Sequence, residues 1–296
     1  MRKYNIKKVG IIGSGIMGSR IACYLSDVGL SVYMFDIPSD NKNRNEVVDQ
    51  NLKLTIKSRP EPLLDSKQDH HIKLGNIEDD IYKIKECDWI IEVVSENIKI
   101  KNKIFDLIEK NRSKKSIVST NTSGISINKL CQGRSKNFKE MFLGTHFFNP
   151  PRQLRLLEII PNKNTREDLV DFFVEYSDKT LGKEVVRCKD TPGFIGNRIG
   201  IFSLMSCVHN SLKLNLSVSE TDYLTGSIIG RPKSGTYRTI DIIGLDTLYN
   251  INKDFIEKIK DKRSIEIFSF PQQIKKMYNL GYWGEKSKKG FYQKKL

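Results

Sequence analysis

The sequence predicts an α/β fold, a largely parallel sheet followed by a smaller all-helical part. Three observations carry that expectation. Short β-branched runs alternate with amphipathic stretches through the first two-thirds of the chain, the pattern of strands joined by crossover helices. A glycine-rich turn, GSGIMG at 13–18, lies directly between the first apolar run and the first helical pattern. Beyond residue 190 the strand-like runs stop and the periodicity is helical to the end.

Taken in order, the candidate strands are 7–13 (KKVGIIG), 31–36, 89–94, 116–120, 142–148, 154–160 and 183–188. The stretch 97–111, NIKIKNKIFDLIEKN, gathers Ile98, Ile100, Ile104, Phe105 and Ile108 near one helical face. In 165–182, Thr165 reads as an N-cap with Asp168 three residues on, and Gly182 as the stop. The polar segment 39–86 is expected to hold a helix at 45–58 and a short strand at 71–75. The strongest helical run is 192–214, with Pro192 suited to its first turn. Two domains are therefore expected, 1–189 and 190–296.

Composition bounds the function. At 296 residues the chain can bury two cores. Its net charge of +15 invites a nucleic-acid reading, but the lysines are scattered through almost every helix instead of forming a block. A polyanionic small ligand would exploit the same field. Five widely spaced cysteines, Cys23, Cys87, Cys131, Cys188 and Cys207, suggest neither a disulfide framework nor a metal site. No run of eighteen apolar residues occurs, and a strand pattern begins almost at once. The expectation is an intracellular, cytoplasmic protein without membrane or nucleic-acid partners. The final Lys294-Lys295-Leu296 is a poor match to the S-K-L address.

The glycine turn carries the first chemical signal. Gly13, Gly15 and Gly18 form GxGxxG after a strand and at the start of a helix. That arrangement allows a tight turn, close approach to a pyrophosphate and close helix packing, with the helix N-terminus attracting the negative charge. Asp36 closes the second strand eighteen residues after Gly18, where a carboxylate accepts ribose hydroxyls. Ile37 and Pro38 follow it, not an arginine, so NAD is favoured over NADP. An ordinary strand-turn-helix without ligand is the bland alternative. A nicotinamide site in turn calls for a hydride donor and a group that moves the accompanying proton.

Three further segments could supply that group: 119–127 (STNTSGISI), 144–161 (GTHFFNPPRQLRLLEIIP) and 188–200 (CKDTPGFIGNRIG). The first follows a strand, so Asn121, Thr122 and Ser123 are expected at the carboxyl edge of the sheet. If the strands bearing His146 and Glu158 are antiparallel neighbours, the two side chains can meet. Such a pair has a fixed tautomer and a raised basicity, suited to acid-base work. Taken alone, His146 among phenylalanines is a core histidine, Ser123 a turn residue and Asn197 a polar helix residue. The single Glu in LLEII is harder to dismiss, because a buried carboxylate without a partner is costly.

At this point GSGIMG, ENIKIK, NTSGISI, HFFNPPRQLRLLEIIP, DTPGFIGNR and IGLDTL together resemble the L-3-hydroxyacyl-CoA dehydrogenases of fatty-acid β-oxidation, over essentially the whole chain. The stretches 229–246 and 284–292 look most like the dehydrogenase part of bifunctional proteins that also carry an enoyl-CoA hydratase domain. The resemblance implies a Rossmann-type domain, His146 as catalytic base, Glu158 as its orienting carboxylate, Ser123 on the 3-oxygen and Asn197 at the reacting centre. It implies an NAD site lined by Gly13, Gly15, Ile16, Met17, Gly18, Asp36, Glu96, Lys101, Ser123, Asn149 and Lys286. Lys53, Lys57 and Arg59 are candidates for the phosphates of the acyl-CoA substrate, with solvated helix charge as the alternative. It also implies a helical domain that closes the substrate cleft and forms a homodimer, with an enoyl-CoA hydratase as partner or fused domain. Thr145 and Ser95 stand where larger residues are usual in the family, and KSKKGFY lacks one usual glycine. Two other readings are a non-catalytic NAD-binding protein that retains the fold, and a small-acid β-hydroxyacid dehydrogenase, which relies on a lysine.

Overall fold

The computed structural model describes residues 4–65 and 71–293, so the terminal Lys294-Lys295-Leu296 lies outside the described residues. The chain forms two compact units, Met1–Phe194 and Ile195–Leu296. In the first, β1 (Lys8–Ile12), β2 (Ser31–Asp36), β3 (Ile72–Asn76), β4 (Trp89–Glu92), β5 (Ile117–Thr120), β6 (Phe142–Phe147), β7 (Leu156–Pro161) and β8 (Glu184–Arg187) make one sheet. Its order is β3-β2-β1-β4-β5-β6-β7-β8. Pairing is parallel from β3 to β6, β7 runs antiparallel to β6, and β8 parallel to β7. The chain steps outward from β1 to β3 and then crosses back to β4. That reversal opens a crevice at the carboxyl ends of β1 and β4, where α/β sheets bind ligands.

Because parallel strands are covered on both sides, successive residues feed two separate cores. Val9, Ile11, Val32, Met34, Leu143 and Leu157 pack with α1 (Ile16–Asp27), α2 (Glu46–Ile56) and α6 (Glu167–Lys179). Ile12, Phe35, Val118, Phe142 and Ile160 pack on the other side with α3 (Ile98–Asn111) and α4 (Ile127–Leu130). A short α5 (Lys136–Glu140) precedes β6.

Three local expectations give way to tertiary structure. Ile100 is 42% exposed while Lys101 takes an inward position on α3. The N-cap of α6 is Arg166, not Thr165. The Thr165 hydroxyl instead donates to the Phe142 carbonyl and accepts from the Asn162 amide, fastening the end of β7. Pro192 lies in a turn ahead of α7 (Gly196–Lys213), because Gly193 and Phe194 adopt left-handed backbone (φ 69° and 46°) that cannot start a right-handed helix.

The second unit consists of α7, α8 (Val218–Thr225), α9 (Tyr237–Ile243), α10 (Leu245–Lys258), α11 (Lys262–Phe268) and α12 (Gln272–Asn279). These helices pack around Met205, Val208, Leu248, Phe255 and Phe268. Two buried acids organise its backbone. Asp222 accepts from the amides of Thr236, Tyr237 and Arg238 at 2.8, 2.6 and 2.9 Å. Asp241 accepts from those of Phe291 and Tyr292, which ties the closing segment to α9. Among the described residues, no helix is long and apolar enough to cross a membrane.

Candidate active site

The glycine turn connects β1 to α1. Gly13 has φ 106°, and a side chain there would press on the Val93 backbone; one on Gly18 would collide with the Gly13 carbonyl. Gly15 differs, since an added Cβ would meet no protein atom within 4 Å. Its missing side chain leaves room for a ligand, whereas the other two serve the turn and its packing. Asp36, at the end of β2, accepts from the Ser14 amide at 2.6 Å and the Ile37 amide at 2.7 Å. A cleft of about 530 Å³ opens here, lined by Gly13, Gly15, Ile16, Met17, Asp36 and Ile100 among others. The exposure of Ile16 (71%) and Ile100 follows from their place on its wall. An apolar cleft with a carboxylate at its rim and a helix N-terminus beneath suits a dinucleotide.

His146 and Glu158 are directly opposed in the antiparallel ladder between β6 and β7. Such cross-strand partners point to the same face. His146 Nδ1 lies 2.7 Å from Glu158 Oε2, with the imidazole 5% exposed and the carboxylate fully buried. When the carboxylate accepts from Nδ1–H, Nε2 is the nitrogen left to exchange a proton. Phe148 and Phe194 pack on the imidazole, with ring centroids 4.5 and 5.8 Å away. Behind the pair, the Cys188 thiol donates to Glu158 Oε1 at 3.4 Å.

A second buried acid, Glu92, ends β4. It accepts from Lys101 Nζ at 2.7 Å, the Thr120 hydroxyl at 2.6 Å and the Val94 amide at 2.7 Å. Burial pushes its carboxyl up from the usual carboxylate range, and the lysine and the other two donors oppose that shift. Lys101 is 1% exposed and also reaches Glu96 Oε2 at 3.4 Å. Glu96 accepts from the Thr122 hydroxyl and from the amides of Ser123 and Gly124, at 3.1 and 3.0 Å for the amides. Glu96, Lys101 and Ser123 are thus brought together, and Ser123 stands exposed in the turn after β5.

The remaining candidates are more dispersed. Asn149 is exposed just past β6. Asn197 is half-buried in the first turn of α7. Lys286, also in the second unit, pairs with Asp246 at 2.5 Å and donates to the Thr247 hydroxyl. Lys53, Lys57 and Arg59 lie exposed on and after α2, where Lys53 pairs with Asp49 and Arg59 with Glu61. No group of described residues could hold a metal ion.

Residues 8–191 match the family model for the NAD binding domain of 3-hydroxyacyl-CoA dehydrogenase, and residues 193–294 match the model for its C-terminal domain. The chain belongs to the 3-hydroxyacyl-CoA dehydrogenase family. This dehydrogenase-family chain is 45% identical to the "Probable 3-hydroxyacyl-CoA dehydrogenase" of Bacillus subtilis across 98% of its own length, but spans only 38% of that relative. It is 39% identical to the protein of the same name from Deinococcus radiodurans, spanning 98% of its own length and 83% of the relative. The crystal structure of (S)-3-hydroxybutyryl-CoA dehydrogenase from Ralstonia eutropha is similar at a TM-score of 0.82 and 29% identity, covering 99% of this chain and all of the other.

Sequence reasoning missed Cys188, Thr120 and Glu92 in this family member's site. For Glu92 a signal existed. A lone acid in the apolar run WIIEVV makes the same argument that drew attention to the Glu of LLEII.

Proposed function

We propose that the protein reversibly oxidises L-3-hydroxyacyl-CoA to 3-oxoacyl-CoA, in fatty-acid β-oxidation or short-chain acyl-CoA metabolism. The observation that carries this reading is the His146–Glu158 pair, 2.7 Å apart and buried, on the sheet whose glycine turn borders the dinucleotide cleft. NAD, when bound, supplies the hydride acceptor. His146 Nε2 takes the proton of the substrate hydroxyl, and Glu158 stabilises the imidazolium that forms. Ser123 holds the 3-oxygen and Asn197 the thioester end. Asp36 accepts the ribose hydroxyls and repels an added phosphate, so NAD is used in preference to NADP.

A rate comparison of 3-oxoacyl-CoAs from C4 to C16 with NADH and NADPH tests the proposal. Oxidation of NADH with at least one chain length, and much slower oxidation of NADPH, is expected. No oxidation with any of them overturns it. Lys53, Lys57 and Arg59 are proposed to meet the CoA phosphates; removing all three charges should then raise the acyl-CoA KM while sparing NADH affinity.

The second unit exposes Leu214, Tyr223, Ile228 and Ile229, which supports a homodimer through helical surface. A monomer by light scattering at micromolar concentration refutes that. The chain spans only 38% of the Bacillus subtilis relative, and an enoyl-CoA hydratase is proposed as fused domain or partner. The cytoplasm is proposed as its compartment, whose reducing conditions suit five widely spaced cysteines.

A further inference from the structure

We infer that Glu92 is a positioning residue, a buried carboxylate that fixes the Ser123 turn from two sides. The inference rests on the role proposed for Ser123. One route runs through Lys101, whose Nζ lies between Glu92 Oε1 at 2.7 Å and Glu96 Oε2 at 3.4 Å. Glu96 in turn takes the Thr122 hydroxyl and the Ser123 and Gly124 amides. The other route runs through Thr120, whose hydroxyl donates to Glu92 Oε2 at 2.6 Å and accepts the Thr122 amide at 3.2 Å. Both routes end on the same turn, and both begin on a side chain with no exposed surface.

The chemistry explains why a charge is kept there. An exposed turn has few apolar contacts to hold its shape, and Ser123 itself is exposed. A neutral side chain at position 92 could hold Thr120 but would leave the buried ammonium with only the more distant Glu96 as counter-charge, so Lys101 would lose its fixed place between the two carboxylates. Glu96 is half in solvent, with 42% of its side chain exposed, and its three bonds to the turn order the loop only while Glu96 itself is held. The buried Glu92–Lys101 pair is the fixed end of that chain. Charge-assisted bonds of this kind are short and directional, which suits a positioning task.

The test uses the whole protein, four single variants and two double variants. In Glu92→Gln, kcat with acetoacetyl-CoA should fall by about tenfold to a hundredfold, the scale expected when a reacting group is displaced by about 1 Å, while NADH affinity changes little. Thr120→Val breaks only the second route without introducing a charge defect, so it keeps the test meaningful if Glu92→Gln folds poorly. It should lower kcat about tenfold, and Thr120→Ser, which keeps the hydroxyl, should restore it. In the protein without cofactor, amide hydrogen exchange at 121–125 should quicken in Glu92→Gln and Thr120→Val, with protection in β1 and β2 unchanged. The decisive arm is a cycle with Ser123→Ala. If Glu92 acts through the serine, adding Glu92→Gln or Thr120→Val to Ser123→Ala costs little more, whereas a general structural defect multiplies the losses. Multiplying losses, or unchanged exchange at 121–125, overturns the inference. Wild-type turnover in Ser123→Ala alone overturns the role proposed for that serine, a separate failure.

Discussion

Glu92 and Glu158 occupy matching positions with different partners. Each is the one acid of an apolar strand, each is fully buried, and strand alternation sets both on the side of the sheet that carries Phe142 and Ile160. Glu92 faces Lys101 at 2.7 Å with both side chains buried, so that pair is a fixed strut. Glu158 faces His146, whose charge can come and go, so that pair can accompany a proton transfer. The same buried carboxylate is therefore structural or chemical according to what stands across from it.

The largest effect expected separates the two at the level of chemistry. His146→Gln should lower turnover of acetoacetyl-CoA by about 10² to 10⁴ while NADH still binds, since the group proposed to move the proton is gone. Near-normal turnover would sink the assignment. Glu158→Gln keeps the shape but removes the charge that stabilises the imidazolium, and about 10²-fold in kcat is expected. Stability should rank the pairs the other way. Glu92→Leu removes the nearer and fully buried of the two carboxylates paired with the Lys101 ammonium, at a cost of about 3–5 kcal/mol in urea unfolding. Glu158→Leu leaves a neutral imidazole short of one bond, about 1–3 kcal/mol. Equal costs would erase the distinction.

Lys183 sharpens the contrast, because it shows a buried lysine held by dipoles. Its Nζ donates to the carbonyls of Pro151 and Leu154 and lies over the Tyr24 ring, and burial lowers its pKa to about 8. Between about pH 8 and the ordinary lysine value of 10.5, the unfolded chain binds this proton and the folded one does not. This group's contribution to stability therefore rises with pH across that window. The melting temperature of wild type relative to Lys183→Met should increase from pH 7.5 to 10.5. A flat difference would contradict the depressed pKa. The smallest effect is expected at Cys188, a weak donor to Glu158. Cys188→Ala should change kcat/KM by less than about fivefold. A larger loss would assign the thiol a different role.

Much of this was legible in the sequence, for definite reasons. The β strands were read to within two residues or so because short apolar runs bounded by polar turns have few alternatives. The glycine turn and Asp36 were visible because their spacing is local. Ile100 was misplaced because periodicity alone cannot tell a core face from the wall of a cleft. Thr165 was misread as a cap because its hydroxyl found a stronger use on a neighbouring strand. The Glu92 network was not read because its partners lie nine and twenty-eight residues away on other elements.

By itself, the sequence determined the class of fold, the cofactor turn and the family, all of which depend on residues close together in the chain. Only the tertiary structure decided which buried acid meets which base. That choice rests on strand register: β7 returns antiparallel beside β6 with Glu158 opposite His146, and a shift of one residue would turn the carboxylate to the other face. Likewise, β4 and β5 pair so that Glu92 lies beside Thr120, and α3 rolls Lys101 inward to meet them. Hydrophobic pattern fixes what is buried, but register and helix rotation fix the partner.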